Sequence, residues 1–478
     1  MNNFSNRRDR EEMQELLKAY NSLKAGRPMS FVEEEDFEKI IDYFDEKENM
    51  VAAMEAADIA LQHFPYSAAM MLKMSDLLLA QQLYDDALPL LEQAEIYDST
   101  HIDLYILKTD AYLGLDQPEK AAKLLDKALE ILECDDRVNL LFELADVYDD
   151  HNEFDSVFTC LELLLKEDPN NEEALLKICF WADFTGNCEK SIKLHQWIID
   201  EYPFNELAWF NLATAFQGLK LYEKAIDAYQ YALVIDEKLD IAYRNMGDAF
   251  IRLRRFKEAI ESLEKVLELH QAEDVIYEAI GHCNDKLFNY HAARANYRKA
   301  SQLNPSDSRI YYKIAATYCN EARWESAIKH LETAMRMHPN QADYNLLMGD
   351  CKMEQGKLKE AIQFYSTAIR AKPKNVLSRE SLIRCLLKAE YTDEAMEQCH
   401  HASLATNQHP IFHYYTSAAY FIAGKNKEAL VHLEKGLSDN PKLFKKVLDL
   451  IPSILQRPNA VDLINKYIKR KKTGRTKK

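Results

Sequence analysis

The sequence lacks most of the signatures that would mark an enzyme, a membrane protein or a secreted domain. No apolar run approaches the roughly 20 residues of a membrane span. The start, Met1 to Arg10, is polar, with no apolar segment behind Arg7 and Arg8, so no secretory signal is expected. Nine scattered cysteines, odd in number and without a Cys-x-x-Cys pair, fit reduced thiols in a cytoplasmic setting better than a disulfide framework. Glycine is scarce, 11 residues in 478, while hydrophobic residues make up 47%, which excludes a disordered or loop-rich chain. There is no phosphate-cradling glycine loop, no Gly-x-Ser-x-Gly elbow and no His-Glu-x-x-His pair. These absences point away from an enzyme and call for no cofactor.

What is present is repetition. Trp209-x-x-Leu212-Ala213-x-x-Phe216, followed by Ala225 and Tyr229, returns as Tyr243-x-x-Met246-Gly247-x-x-Phe250 with Ala259 and Leu263. It returns again at Tyr277-x-x-Ile280-Gly281 with Ala293 and Tyr297, and at Tyr311-x-x-Ile314-Ala315-x-x-Tyr318 with Ala327 and Leu331. The period is 34 residues. A fixed period of this length means a solenoid, which also accommodates a chain long for one compact domain.

These motifs resemble the tetratricopeptide (TPR) repeat. The resemblance implies an all-α fold, a right-handed TPR-type α-solenoid superhelix of antiparallel helix pairs. Twelve repeats are expected, starting at Glu34, Ala68, Ile102, Val138, Glu172, Glu206, Asp240, Asp274, Ser308, Ala342, Val376 and Pro410. Every interval is 34 except the third, where two extra residues fall near Cys134-Asp135-Asp136, in a link. Positions 8 and 20 should be small so that helices A and B approach closely. Prolines at position 32, from Pro65 to Pro441, should end helix B. Gly114, Gly186, Gly218, Gly356 and Gly424 should supply positive φ in the A-to-B turns. Irregular packing is expected in repeat four (Val157, Leu164), repeat five (Cys179, Ser191, His195) and repeat ten (Asn345, Lys352).

The expected organisation is a capping helix and link over residues 1–33, repeats over 34–441, closing helices over 442–468 and a basic, disordered tail over 469–478. The opening helix should span 8–25 and stop at Gly26 and Pro28.

The resemblance places positions 2, 5, 6, 9, 12 and 13 of helix A on a concave, partner-binding face. Position 9 reads Asp42, Asp76, Asp110 and Asp146 in the first four repeats, with Glu143, Asp149 and Asp150 beside the last. Such a ladder is either a track for a basic segment or a solvated face, with its acids paired to lysines of the neighbouring helix. Asn211 and Asn245 at position 6, with Arg244, Arg252 and Lys286 nearby, could hold peptide main chain and a carboxylate, or bond neighbouring helices. The chaperone-type carboxylate clamp is not matched: Leu176, Phe180, Phe210 and Thr214 stand where it needs Lys and Asn. Inner aromatics Phe142, Phe180, Phe184, Phe210, Tyr312, Tyr414, Tyr415 and Phe421 could offer pockets. Cys399, His400, His401, His409 and His413 resemble metal ligands only superficially, and read as a buried thiol with surface histidines.

Charge is divided along the chain. Residues 1–200 hold 44 acidic and 18 basic side chains, residues 301–478 hold 18 and 29, and the net is −18. The function expected is a non-enzymatic, cytoplasmic scaffold or adaptor, binding an extended or helical segment of another protein, with a basic ligand favoured by the acidic front. Two alternatives stand beside it. One is self-association through the oppositely charged ends; the other is a nucleic-acid-associated role for the basic rear, against which the overall acidity argues.

Overall fold

The structure, a computed structural model, describes residues 2–25, 31–448 and 450–473. It is all-α, and no strand occurs among the described residues. Two compact units are formed, Met1–Ala249 and Phe250–Lys478. Each is a stack of helix pairs.

Eleven of the twelve expected starts agree with the observed helices to within one residue; the last helix A is Ile411–Ile422, with Pro410 at its N-cap. The exception is repeat four, whose helix A runs from Cys134 to Asp150 rather than from Val138. The two extra residues extend this helix instead of lengthening a link. Asp135 and Asp136 lie in its first turn, where carboxylates favour the exposed N–H groups. Arg137 secures the turn, its Nε donating to the Leu132 carbonyl at 2.8 Å and its Nη1 to Glu167 at 3.2 Å.

The last residue of a repeat often caps the next helix. Ser67, Asn171, Asn205 and Asn375 each accept a hydrogen bond from the backbone N–H three residues on, and Asp307 from Arg309 N. Each expected position-32 proline, such as Pro65, Pro203 or Pro339, follows the end of its helix B by two residues.

Position 20 is buried in all twelve repeats, from Ala53 to Ala429, including the larger Val157 and Ser191. Position 8 complements position 24. A Cβ added at Gly281 would lie 2.6 Å from the Tyr297 ring, and one at Gly349 would lie 2.5 Å from Tyr365. Glycine therefore makes room for a tyrosine within the same helix pair.

Position 15 has positive φ in every repeat. Only Gly186, Gly356 and Gly424 are glycines there; Glu48, Gln82, Asp116, Asn152, Lys220, Arg254, Phe288, Ala322 and Glu390 hold the same conformation. Gly114 and Gly218 instead end helix A. A Cβ on Gly114 would meet the Tyr84 ring at 2.3 Å, and one on Gly218 would meet Cys188 Sγ at 2.7 Å. Their role is close approach between repeats, not turn conformation.

The N-terminal helix spans Asn2–Lys24, and Tyr20, Leu16, Leu17 and Leu23 pack onto the core of repeat one. Its expected stop at Gly26 and Pro28 lies outside the described residues. The closing segment is more broken than expected. Two 3₁₀ turns, Pro441–Phe444 and Pro452–Gln456, flank a four-residue α turn, Lys445–Leu448. Pro452 lacks the N–H a longer helix would use. Phe444, Ile451 and Ile454 still reach the core, as do Ala460 and Ile464 of the last helix, Pro458–Thr473. That helix carries the chain past the expected boundary at 468; residues 474–478 lie outside the described residues.

Candidate functional site

In the first compact unit, the A helices of repeats one to four frame a concavity of about 720 Å³. Its wall is built from positions 2, 5, 6 and 9. Leu72, Ile106 and Leu107 form an apolar floor, and Glu38, Asp76, Asp103 and Glu143 surround it. His101, from the link, and Lys73 also line it. These are the positions that the repeat resemblance assigns to a concave face.

The aspartate ladder divides into paired and unpaired rungs. Lys73 Nζ lies 2.6 Å from Asp42, Lys177 Nζ 3.2 Å from Asp146, and His151 Nε2 2.6 Å from Asp110. The partner comes from the next repeat in each case. The lysine pairing was visible in the sequence as Asp at position 9 followed 31 residues later by Lys. These three carboxylates therefore act first as ties between repeats. The two lysine pairs are open to solvent and contribute little to stability, while the His151–Asp110 pair is half-buried.

Asp76 differs. It is exposed at the surface, yet the walls of the concavity strip part of its hydration. That desolvation raises its carboxyl above the usual range; Asp45, Asp103 and Asp110 push the same way, and Lys73 opposes them. Negative charge is thus concentrated where a cation would relieve it. Glu143, Asp149 and Asp150 extend the acidic surface, all exposed.

Asn211 does not line the groove, as a ligand-binding residue would, but takes its other expected use and bonds neighbouring helices. It is buried, 2% exposed, and unavailable to a ligand. Its amide nitrogen donates to the Leu175 carbonyl at 2.7 Å and to His195 Nε2 at 3.2 Å. His195 Nδ1 donates to the Ser191 carbonyl at 2.7 Å, so the ring is held neutral by donors and acceptors on opposite edges. Burial pushes its pKa down to about 4. Ser191 and His195 of repeat five therefore form with Asn211 of repeat six a closed network that joins the two repeats. Asn245 is half-buried and hydrogen-bonds to the Tyr229 hydroxyl, which also meets Thr214 and Gln217 at 3.2 Å. Arg244 is half-buried in the first compact unit; Arg252 and Lys286 are exposed in the second.

The inner aromatics also divide. Phe210, Tyr414, Tyr415 and Phe421 are core, and Tyr312 stacks on Tyr344 at 5.2 Å. Phe180 and Phe184 stay more than half exposed. Cys399 is buried and His400 and His401 are exposed, but His413, expected on the surface, is buried beside His432 at 5.7 Å. In repeat ten, Asn345 donates to the carbonyls of Pro339 and Gln341, and Lys352 pairs with Glu360 at 2.7 Å.

A stack of 34-residue helix pairs with a side-chain-lined concave wall defines a helical-repeat protein. Family models agree on which kind. Two tetratricopeptide repeat models match residues 78–141 and 317–376, and a model of the C-terminal ARM domain of tetratricopeptide repeat protein 21 matches residues 185–346. The chain is a tetratricopeptide repeat protein.

No curated protein sequence matches it. Solved structures with similar repeats include YrrB, described as a TPR protein with an unusual peptide-binding site (21% identity, 39% of this chain, 96% of that one, TM-score 0.35). Others are the Cut9–Hcn1 hetero-tetramer of the APC/C (13% identity, 86% and 95%, TM-score 0.38) and the C-terminal part of a TPR protein from Cytophaga hutchinsonii (14% identity, 53% and 99%, TM-score 0.43). Among the described residues, no helix is long and apolar enough to cross a membrane. Tetratricopeptide repeats generally mediate protein–protein interaction, and the family is generally non-enzymatic.

Proposed function

We propose that this chain is a non-enzymatic interaction scaffold that holds a basic segment of a partner protein against the A helices of repeats one to four. The observation that carries this reading is the concavity ringed by Glu38, Asp76, Asp103 and Glu143 over an apolar floor. Lysine or arginine side chains reaching it would offset the mutual repulsion of these carboxylates, while their methylene stems cover Leu72 and Ile106. The ladder residues Asp42, Asp110 and Asp146 contribute through the field, since their near partners already bind them. The setting proposed is cytoplasmic, on the pattern of scattered cysteines without a Cys-x-x-Cys pair.

The test is a titration of a labelled Lys/Arg-rich peptide into the full chain and into Asp76→Asn/Glu143→Gln. The wild type should bind with an affinity that falls as salt rises, and the variant about tenfold more weakly. Equal binding by both, or equal binding of a Glu-rich control, would refute the assignment.

A further inference from the structure

Beyond the carboxylates, the same wall changes character within one repeat. On helix A of repeat five, Glu172–Phe184, the side chains Leu176, Phe180 and Phe184 are 56%, 59% and 58% exposed. Their spacing of four puts them in one row on one helix face. They occupy positions 5, 9 and 13, where repeat two has Leu72, Asp76 and Ala80 and repeat four has Phe142, Asp146 and Asp150. Repeat five thus replaces the carboxylate of position 9 with a phenyl ring.

The rings are held in place. Phe180 stacks on Phe184 with centroids 5.8 Å apart and planes 17° apart. Trp181 meets both rings edge-on, at 5.0 and 5.7 Å, and Phe154 closes on Phe184 at 5.0 Å. A rigid aromatic surface loses little conformational freedom when it is covered. Lys177 joins it to the acidic wall: its ammonium is 3.2 Å from Asp146 and 4.1 Å from the centre of the Phe142 ring.

Resting on the function proposed above, we infer that the bound segment is amphipathic, with a basic cluster over Asp76, Asp103 and Glu143 and one large apolar side chain seated on Leu176, Phe180 and Phe184. Charge complementarity selects this occupant. A chain reaching the shelf from the concavity passes Glu143, Asp149 and Asp150, which repel an acidic segment and reward a basic one, while Lys177 offsets the charge of Asp146. Neighbouring A helices sit roughly 8–10 Å apart, so two steps from repeat three to repeat five cover roughly 16–20 Å. An extended chain at about 3.3 Å per residue needs roughly five or six residues to cover that distance, and a helix at 1.5 Å needs roughly eleven to thirteen.

Three labelled peptides test this by fluorescence anisotropy on the full chain. The first carries four Lys/Arg, a five-residue spacer and Trp; the second has Ser for Trp; the third keeps Trp but has Gln for each basic residue. The wild type should bind the first about tenfold more tightly than the second, and the third weakest. Phe180→Ser/Phe184→Ser alters side chains that are more than half exposed, and its helicity is checked by circular dichroism. It should bind the first and second peptides equally, at the wild-type affinity for the second. If Trp adds nothing on wild type, or its gain survives in the variant, the shelf proposal fails while the acidic groove stands. If neither basic peptide binds wild type, the groove and the shelf fall together. If the wild type sediments as a dimer that the variant loses, a second copy covers the shelf and the proposal is overturned.

Discussion

His195 should make repeats five and six sensitive to mild acid. The ring is fully buried, its Nδ1 donates to the Ser191 carbonyl, and its Nε2 accepts from Asn211. Protonating Nε2 would point a proton at a donor, in a site stripped of water. The folded pKa of about 4 lies below the ordinary 6.5, so between those values the unfolded chain binds a proton that the folded chain refuses. The stabilising contribution is therefore complete above pH 6.5 and declines as pH falls toward 4. Between pH 7 and pH 5 the loss is on the order of 2 kcal/mol. The assay is native-state hydrogen exchange of amides in Cys188–Glu201 and Glu206–Gly218 at the two pH values, after correction for intrinsic exchange. His195→Leu should flatten the pH dependence, because leucine fills this position in other repeats, as at Leu91 and Leu331. An equal pH effect in wild type and variant would refute the reasoning.

Two further predictions concern the repeat itself. Gly349→Ala should cost about 1–3 kcal/mol in chemical denaturation, because its Cβ would sit 2.5 Å from Tyr365. Most of that cost should vanish in a Tyr365→Leu background, since repeat nine pairs Ala315 with Leu331. Phe288→Gly should raise the melting temperature through about 1 kcal/mol of relieved strain, as Phe288 is 76% exposed at φ +61°; Gly356→Ala, at φ +77°, should lower it by a similar amount.

The periodicity was legible because each repeat repeats the same packing problem. Ala225, Ala259, Ala293 and Ala327 announce the close helix contact without knowledge of any partner. The local exceptions were less legible. Position 15 takes positive φ because two short helices must be joined tightly, and the chain tolerates Arg254 or Phe288 there, so glycine alone was a poor guide. The extended helix at Cys134 was hidden because its added turn is polar and reads like a link. At the site, charge at position 9 was visible, but which carboxylates find a partner depends on the reach of Lys73, Lys177 and His151 across repeats. Asn211 shows the same limit. Its residue type suits a ligand's main chain equally well, and only the buried His195 opposite it decides between the two uses.

The claim at the centre is that the first four repeats choose basic segments. A random peptide-display selection on the full chain, repeated on Asp76→Lys/Glu143→Lys, tests it most directly. The wild type should enrich sequences with clustered Lys and Arg, and the charge-reversed variant should lose that enrichment. A wild-type pool with no basic preference, or the same pool recovered by both proteins, would contradict the account.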